Sequence, residues 1–424
     1  MSATSPSSRR AETCATDQSI LTPTPSEPGA LVPAPGTPAA LPFGMAILCL
    51  ILAGLGLRPT IVSIGPILPD MIAAFELSHA EASLLTAIPT LLMGLLALPT
   101  PRLARRYGRN RVIVAALIAI ATAAVARAFS YSTWTLFVST AGTGVGIAFA
   151  GALIPGFVKA EFPTRAASLM GIFGMALSLG STVAAATTKF LAGESGGWRA
   201  AIGFWALPAL FGVVAWLYIQ ARDRGRTLIP QAAIHPLPVR NPTAWLIAAF
   251  FACNNVIFYS CISWLAPIYV EFGRASTTAG LLLATFTLAF MVASPVFGFI
   301  SRNEDRRTWL AASSGMAFLG ILWVSVAPTV LPFAAVSLIA FGTGGAFTLS
   351  MTLPLDNART HEEAIAWNAF VILISYLVGA AGPVLVGMLR DLNGGFYVSL
   401  WVLAGVAATM LAIGPFLRPS LTKP

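Results

Sequence analysis

From Phe43 onward the chain alternates long apolar runs with short polar breaks, and this rhythm outweighs every other signal in it. A run of about 20 apolar residues is long enough to cross a hydrocarbon core as a helix. Twelve such runs can be marked, at 44–74, 80–100, 111–130, 133–157, 166–191, 199–220, 244–270, 277–300, 308–327, 330–354, 363–388 and 396–417. The pattern predicts an all-α membrane protein with twelve transmembrane helices. The first run is over-long and carries Pro59, Pro66 and Pro69, so a bent helix is expected there. Neighbouring helices would have to satisfy the carbonyls that the prolines release.

Composition agrees with the pattern. The chain is 57% hydrophobic and 10% charged, whereas soluble domains are about 25% charged. Lipid must be its solvent. In a soluble chain the net charge of +9 would point to nucleic acid; here the placement of the charge carries the information, and no nucleic-acid partner is expected. With the N-terminus in the cytoplasm, 19 of the 25 Lys and Arg residues fall on the cytoplasmic side, five outside (Arg127, Lys189, Arg199, Arg274 and Arg390) and one, Arg58, within a span. This asymmetry favours both termini inside. The four cysteines, Cys14, Cys49, Cys253 and Cys261, form no CxxC and no paired spacing, so neither disulfides nor a zinc site is expected. Residues 1–42 are rich in Ser, Thr, Pro and Ala and read as a disordered cytoplasmic tail. Arg9 and Arg10 lead into no apolar stretch, which argues against a signal peptide.

The polar, basic segment 221–243 divides the spans into two groups of six. The expected organisation is a bundle over 43–220, a cytoplasmic linker over 221–243, a second bundle over 244–418 and a short tail over 419–424. The halves resemble each other. At an offset of 197, FELSHAEASLL (75–85) meets FGRASTTAGLL (272–282), and RLARRYGRNR (102–111) comes near FISRNEDRR (299–307). At an offset near 200, AGTGVGIAFAGALIP (141–155) meets FGTGGAFTLSMTLP (341–354). A duplicated six-helix unit places a substrate near the bilayer midplane, between the repeats.

Arg58 stands out in that setting. It lies about 14 residues into its span, roughly 21 Å of helix, where an arginine costs about 2.5–3.5 kcal/mol on insertion scales. Its guanidinium keeps its proton and presents a planar fork of donors suited to an anion or a small planar acceptor. The repeat offset maps position 58 onto Asn254 and Asn255, so these residues are expected to face Arg58 across a cavity. Tyr259 follows one turn after Asn255, and Trp264 and Tyr376 are further candidates for the wall. Arg102, Arg105, Arg106 and Arg109 form a basic cytoplasmic turn that could latch an inner gate against Glu304, Asp305 or Asp356. The glycines of 142–146 and 342–345 suit close helix packing; no Gly-Lys dipeptide occurs, so no Walker A loop is present. No Asp, Glu or His falls well inside a span, so the usual intramembrane proton carrier is missing. No HExxH or GxSxG occurs, and no enzyme activity, metal or cofactor is expected.

These residues also resemble a known family. PRLARRYGRNR (101–111) resembles the G-x-L-A-D-R-x-G-R-R loop of the major facilitator superfamily, with Pro101 where that motif has Gly and Arg105 where it has Asp. Closer resemblance is to the cyanate-transporter group, which includes 2-nitroimidazole transporters. It is carried by LRPTIVSIGPILPD (57–70), LIPGFVKAEFPTRAASLMGIF (153–173), GWRAAIGFWALPAL (197–210) and GPVLVGMLRDLNGGF (382–396). The resemblance implies two pseudo-symmetric six-helix bundles and a secondary active transporter working by alternating access. It also implies a monomer in a bacterial inner membrane and a small anionic or polar planar solute. A drug exporter of the same superfamily is a rival reading; its usual Gly-Pro pair is absent from 171–190. A transporter-derived sensor is another, and it would need an output domain.

Overall fold

The computed structural model describes residues 42–193, 197–222, 236–301, 306–358 and 360–417. The expected N-terminal tail (but for Pro42), the tail over 419–424 and most of the linker lie outside the described residues. Twelve helices there are long and apolar enough to cross a membrane. They are Phe43–Val62, His79–Ala97, Arg109–Ala128, Thr133–Glu161, Ser168–Ala192, Trp198–Arg222, Pro242–Glu271, Ser276–Ile300, Arg307–Val326, Pro332–Asn357, Glu363–Asn393 and Tyr397–Phe416, called here the first to twelfth spans. Local chemistry sets several of their ends. Ser78 opens the second span with a capping box: its hydroxyl accepts from the Glu81 N–H while the Glu81 carboxylate accepts from the Ser78 N–H. Thr360 accepts from the Glu363 N–H at the start of the eleventh, and Gly394, at φ 70°, closes that helix in the left-handed conformation.

The first span, where a bend is expected, is divided into three segments. One helix runs Phe43–Leu57, a single turn Pro59–Val62, and a third segment Ile64–Phe75. Pro59 has no N–H to give the carbonyl four residues back. Arg58, at φ −101° and ψ −23°, keeps a right-handed helical conformation at the first break. The matching seventh span is one continuous helix, Pro242–Glu271.

The packing order of the first six spans recurs in the last six. The first packs on the fifth and sixth, the third on the fourth and sixth, and the second on the fourth; adding six to every number gives the pairings of the second set. Glycines permit the tightest crossings. A Cβ on Gly146 would lie 2.5 Å from the Ala116 carbonyl oxygen, and one on Gly342 2.5 Å from that of Ser313. The glycine stripes pack helices, as the sequence leads one to expect.

The two sets meet through the second span against the eleventh, the fifth against the eighth, and the first against the seventh. At the end away from the basic loops these contacts are tight. The Asp391 carboxylate accepts from the His79 and Ala80 backbone N–H groups (3.1 and 2.9 Å) and pairs with the His79 ring at 2.7 Å. A Cβ on Gly387 would lie 2.5 Å from the His79 carbonyl oxygen, and one on Gly65 2.7 Å from that of Ile262. At the basic end, Arg109 pairs with Glu161 and Arg306 with Asp356, each within its own set of six.

Asp391→Ala removes both helix-end caps and the His79 pair. A cap is worth about 1 kcal/mol and a partly exposed ion pair up to about 1. The substitution is therefore expected to shift the closed end toward opening by about 30- to 100-fold, given about 1.4 kcal/mol per decade. The readout is how fast an impermeant thiol reagent labels a Ser263→Cys variant free of other cysteines. An unchanged rate would remove Asp391 from the latch.

Candidate functional site

A cavity lies where the first and last six spans meet. Arg58, Ile61 and Val62 of the first span, Met93 of the second, Ile147 of the fourth, and Ser178 and Ser181 of the fifth form one side. Phe258, Tyr259 and Ile262 of the seventh span and Thr287 and Phe290 of the eighth form the other. Arg58 is the single charged residue on this wall, which holds no Asp, Glu or His. The guanidinium leaves the chain at the break between the Phe43–Leu57 helix and the Pro59–Val62 turn, and it is half-buried. Its carbon Cζ stands 6.0 Å from the centre of the Phe258 ring, within the range of a cation–π contact. Among the described residues it makes no hydrogen bond and no ion pair.

The rest of the wall supplies an aromatic flank and a hydroxyl flank. The Phe258 ring centre lies 4.7 Å from that of Phe290 and 5.2 Å from that of Tyr259. The Tyr259 hydroxyl reaches the Met93 sulfur at 4.0 Å. Ser178 and Ser181 share a helix face, and the Thr287 hydroxyl meets that of Thr182 at 2.9 Å, joining the fifth and eighth spans beside the cavity. Such a wall can hold one small solute with a negative or strongly accepting edge toward Arg58 and a planar body against the rings.

The expected site residues divide under this geometry. Arg58 and Tyr259 are brought together on one cavity wall. Tyr376 stands behind Tyr259, ring centres 6.0 Å apart. Asn255 turns instead toward the eleventh span, where a Cβ on Gly379 would sit 2.7 Å from its own Cβ. Asn254 is fully buried, and its amide has no hydrogen-bond partner. Phe258, three residues past Asn255, takes the place opposite Arg58 that the repeat offset assigns to the Asn pair. A one-residue error in offset turns a helical position by about 100°, so a repeat aligned to within a few residues cannot choose the face. Trp264 lies at the closed end, stacked near His79 and Phe396 (5.7 and 5.4 Å), and its indole N–H donates to the Pro383 carbonyl. It is away from the cavity wall.

The basic turn also departs from expectation. Arg102, Arg105 and Arg106 are exposed, and Arg109 pairs with Glu161 at 3.2 Å over the Phe157 ring. Asp356 is engaged by Arg306 at 2.7 Å, not by the Arg102–Arg109 turn; Glu304 and Asp305 lie outside the described residues. Arg127, counted in the charge tally as an outer-face residue, is wholly buried among the helices. Its neighbours Thr140 and Thr143, one turn apart on the fourth span, were a polar stripe legible in the sequence. Ser178, Ser181 and Thr287 gave no such signal, because hydroxyl residues are frequent in membrane helices and usually bond their own backbone.

Comparison with known proteins places this geometry in context. The sequence profile of the Major Facilitator Superfamily matches residues 43–383. The cyanate transport protein CynX of Escherichia coli (strain K12) is 31% identical over 373 residues, covering 87% of this chain and 95% of that protein. The 2-nitroimidazole transporter of the same organism is 29% identical over 363 residues, covering 84% and 91%. Among solved structures, a bacterial homolog to the human lysosomal transporter Spinster, in an inward-facing and occupied conformation, superposes with a TM-score of 0.77 at 18% identity over 89% of this chain and 99% of that one.

Proposed function

The chain belongs to the Major Facilitator Superfamily, and from that premise we propose that it is a secondary active transporter carrying a small anionic or polar planar solute across a bacterial inner membrane by alternating access. The observation that carries the reading is Arg58: a half-buried guanidinium without an acidic partner among the described residues, facing a cavity between the two sets of six spans. A charge held in a membrane interior without a counter-ion marks a substrate or ion pathway by default. The fork would take the negative edge of the solute, Phe258 and Tyr259 its flat face, and Ser178, Ser181 and Thr287 its remaining acceptors.

The rule that basic loops face the cytoplasm puts the Arg102–Arg111 turn inside and the His79–Asp391 latch outside. The closed end is then the outer gate, both termini are cytoplasmic, and the two sets of spans act as the rocking halves of a monomer. The relatives at 31% and 29% identity, described as cyanate and 2-nitroimidazole transporters, support a small solute of this kind. An anion entering against an inside-negative potential needs about 2.3 kcal/mol per charge per 100 mV. With no acid on the cavity wall, that work falls to anion exchange, to a proton travelling on the solute, or to an uncharged solute.

The test is thermal stabilisation of the purified protein by cyanate, nitrate, bicarbonate, small carboxylates and 2-nitroimidazole. A solute that binds only the folded state, present at about 100 times its dissociation constant, adds roughly 2.7 kcal/mol. At least one member of the panel is expected to raise the melting temperature. A flat response to all of them at millimolar concentration would count against a small-anion or nitroimidazole site.

A further inference from the structure

Arg127 ends the third span and is the second arginine held inside the protein. It has no exposure to solvent, and among the described residues it has no acidic partner. One Nη donates to the Thr60 carbonyl at 2.8 Å. The other donates to the hydroxyls of Thr140 and Thr143 on the fourth span, at 3.2 and 3.3 Å. Thr60 is no ordinary acceptor. It lies in the single turn Pro59–Val62, between the break at Arg58 and the break at Ser63, where helix-end carbonyls lose their partners along the chain. Thr60 and Ser63 also carry buried hydroxyls without a partner, so the turn's own side chains leave it incompletely satisfied.

From this we infer that Arg127 is a positioning residue: through its bond to the Thr60 carbonyl it braces the broken turn of the first span against the third, and thereby fixes the direction in which Arg58 enters the cavity. A guanidinium suits the task because it keeps its charge when buried and its planar fork can hold a carbonyl and two hydroxyls at once. The second set of spans provides an internal comparison. Its seventh span is unbroken, and the repeat offsets of 197–200 place Val324, Ser325, Val326 and Ala327 at the position of Arg127. The half with the broken helix has the brace; the half with the continuous helix has no arginine there. The inference rests on the reading of Arg58 as the solute's anchor, but its test needs no solute.

The test uses the full chain made cysteine-free (Cys14→Ser, Cys49→Ala, Cys253→Ala, Cys261→Ala) with Arg58→Cys added. The rate at which a small uncharged thiosulfonate labels the thiol so introduced reports how position 58 meets the cavity, and an uncharged reagent is blind to the charge of Arg127. Adding Arg127→Met is expected to change that rate at least fivefold. Arg127→Lys, which keeps the charge and one donor for Thr60, is expected to hold the change below fivefold. So is Thr140→Val with Thr143→Val, which leaves the bond to Thr60 intact. Melting curves and gel filtration confirm that each variant is folded; if Arg127→Met is not, Arg127→Gln takes its place with the same threshold. A change below fivefold in the neutral variant, or one as large with Lys or with the Val pair, overturns the inference. Failure of the solute panel above would bear on the nature of the solute alone.

Discussion

Arg58→Gln is expected to remove binding of an anionic solute and to make the empty protein more stable at the same time. Both effects come from one charge. Among the described residues Arg58 is the single charged group on the cavity wall and has no acidic partner, so a bound anion would be its counter-ion. Truncating one member of a buried, hydrogen-bonded charge pair costs about 2–5 kcal/mol, a loss of affinity of roughly 30-fold to several thousand-fold at about 1.4 kcal/mol per decade. Arg58→Lys keeps the charge and loses the fork, so it should fall between. An uncharged solute such as 2-nitroimidazole should lose less, because part of its contact is with Phe258 and Tyr259. Without solute the balance reverses: an unpaired charge in an apolar interior is a burden that glutamine relieves, and the variant should melt at a higher temperature than the parent. Dissociation constants from thermal shifts, together with uptake into proteoliposomes, check the first effect; ligand-free melting checks the second. An anion that stabilises Arg58→Gln as well as it does the parent would make Arg58 a structural residue.

The largest expected loss of folding comes from Gly342→Val. The ninth and tenth spans cross so closely there that an added Cβ would collide with the Ala317 nitrogen and lie 2.5 Å from the Ser313 oxygen. Both obstacles are backbone, so no rotamer change relieves them, and the helices must separate. Overpacking a dense interior costs typically about 1–3 kcal/mol and at times more; with a branched side chain against two backbone atoms, at least about 2 kcal/mol is expected. Gly146→Val, at the corresponding crossing of the third and fourth spans, should behave alike, since its Cβ meets the Ala116 oxygen at 2.5 Å. Gly151 lies farther along the same fourth span with nothing within 4 Å of an added Cβ. Gly151→Ala should be neutral or slightly stabilising, as helix propensity favours alanine. Thermal denaturation in detergent and the recovery of monodisperse protein distinguish the three. Equal behaviour of Gly342→Val and Gly151→Ala would show that the crossing can relax.

The sequence by itself determined the membrane class, the twelve helices, an irregularity in the proline-bearing first span and the packing use of the glycine stripes. Each follows from a local rule that needs no neighbour: apolar length sets a span, proline withholds an N–H, and small residues let backbones approach. It also singled out Arg58, because a charge deep in an apolar run is conspicuous along the chain. Tertiary structure alone decided which residues share a wall with it. Phe258 replaced the Asn pair, Trp264 moved to the closed end and Asp356 turned to Arg306, since the rotation of a helix about its axis is set by packing against several others. Arg127 shows the difference most plainly. In the sequence it stands three residues from the end of a run, like any orientation charge; in the fold it is sealed between three spans, because the broken first span offers it a carbonyl that no neighbour along the chain could supply.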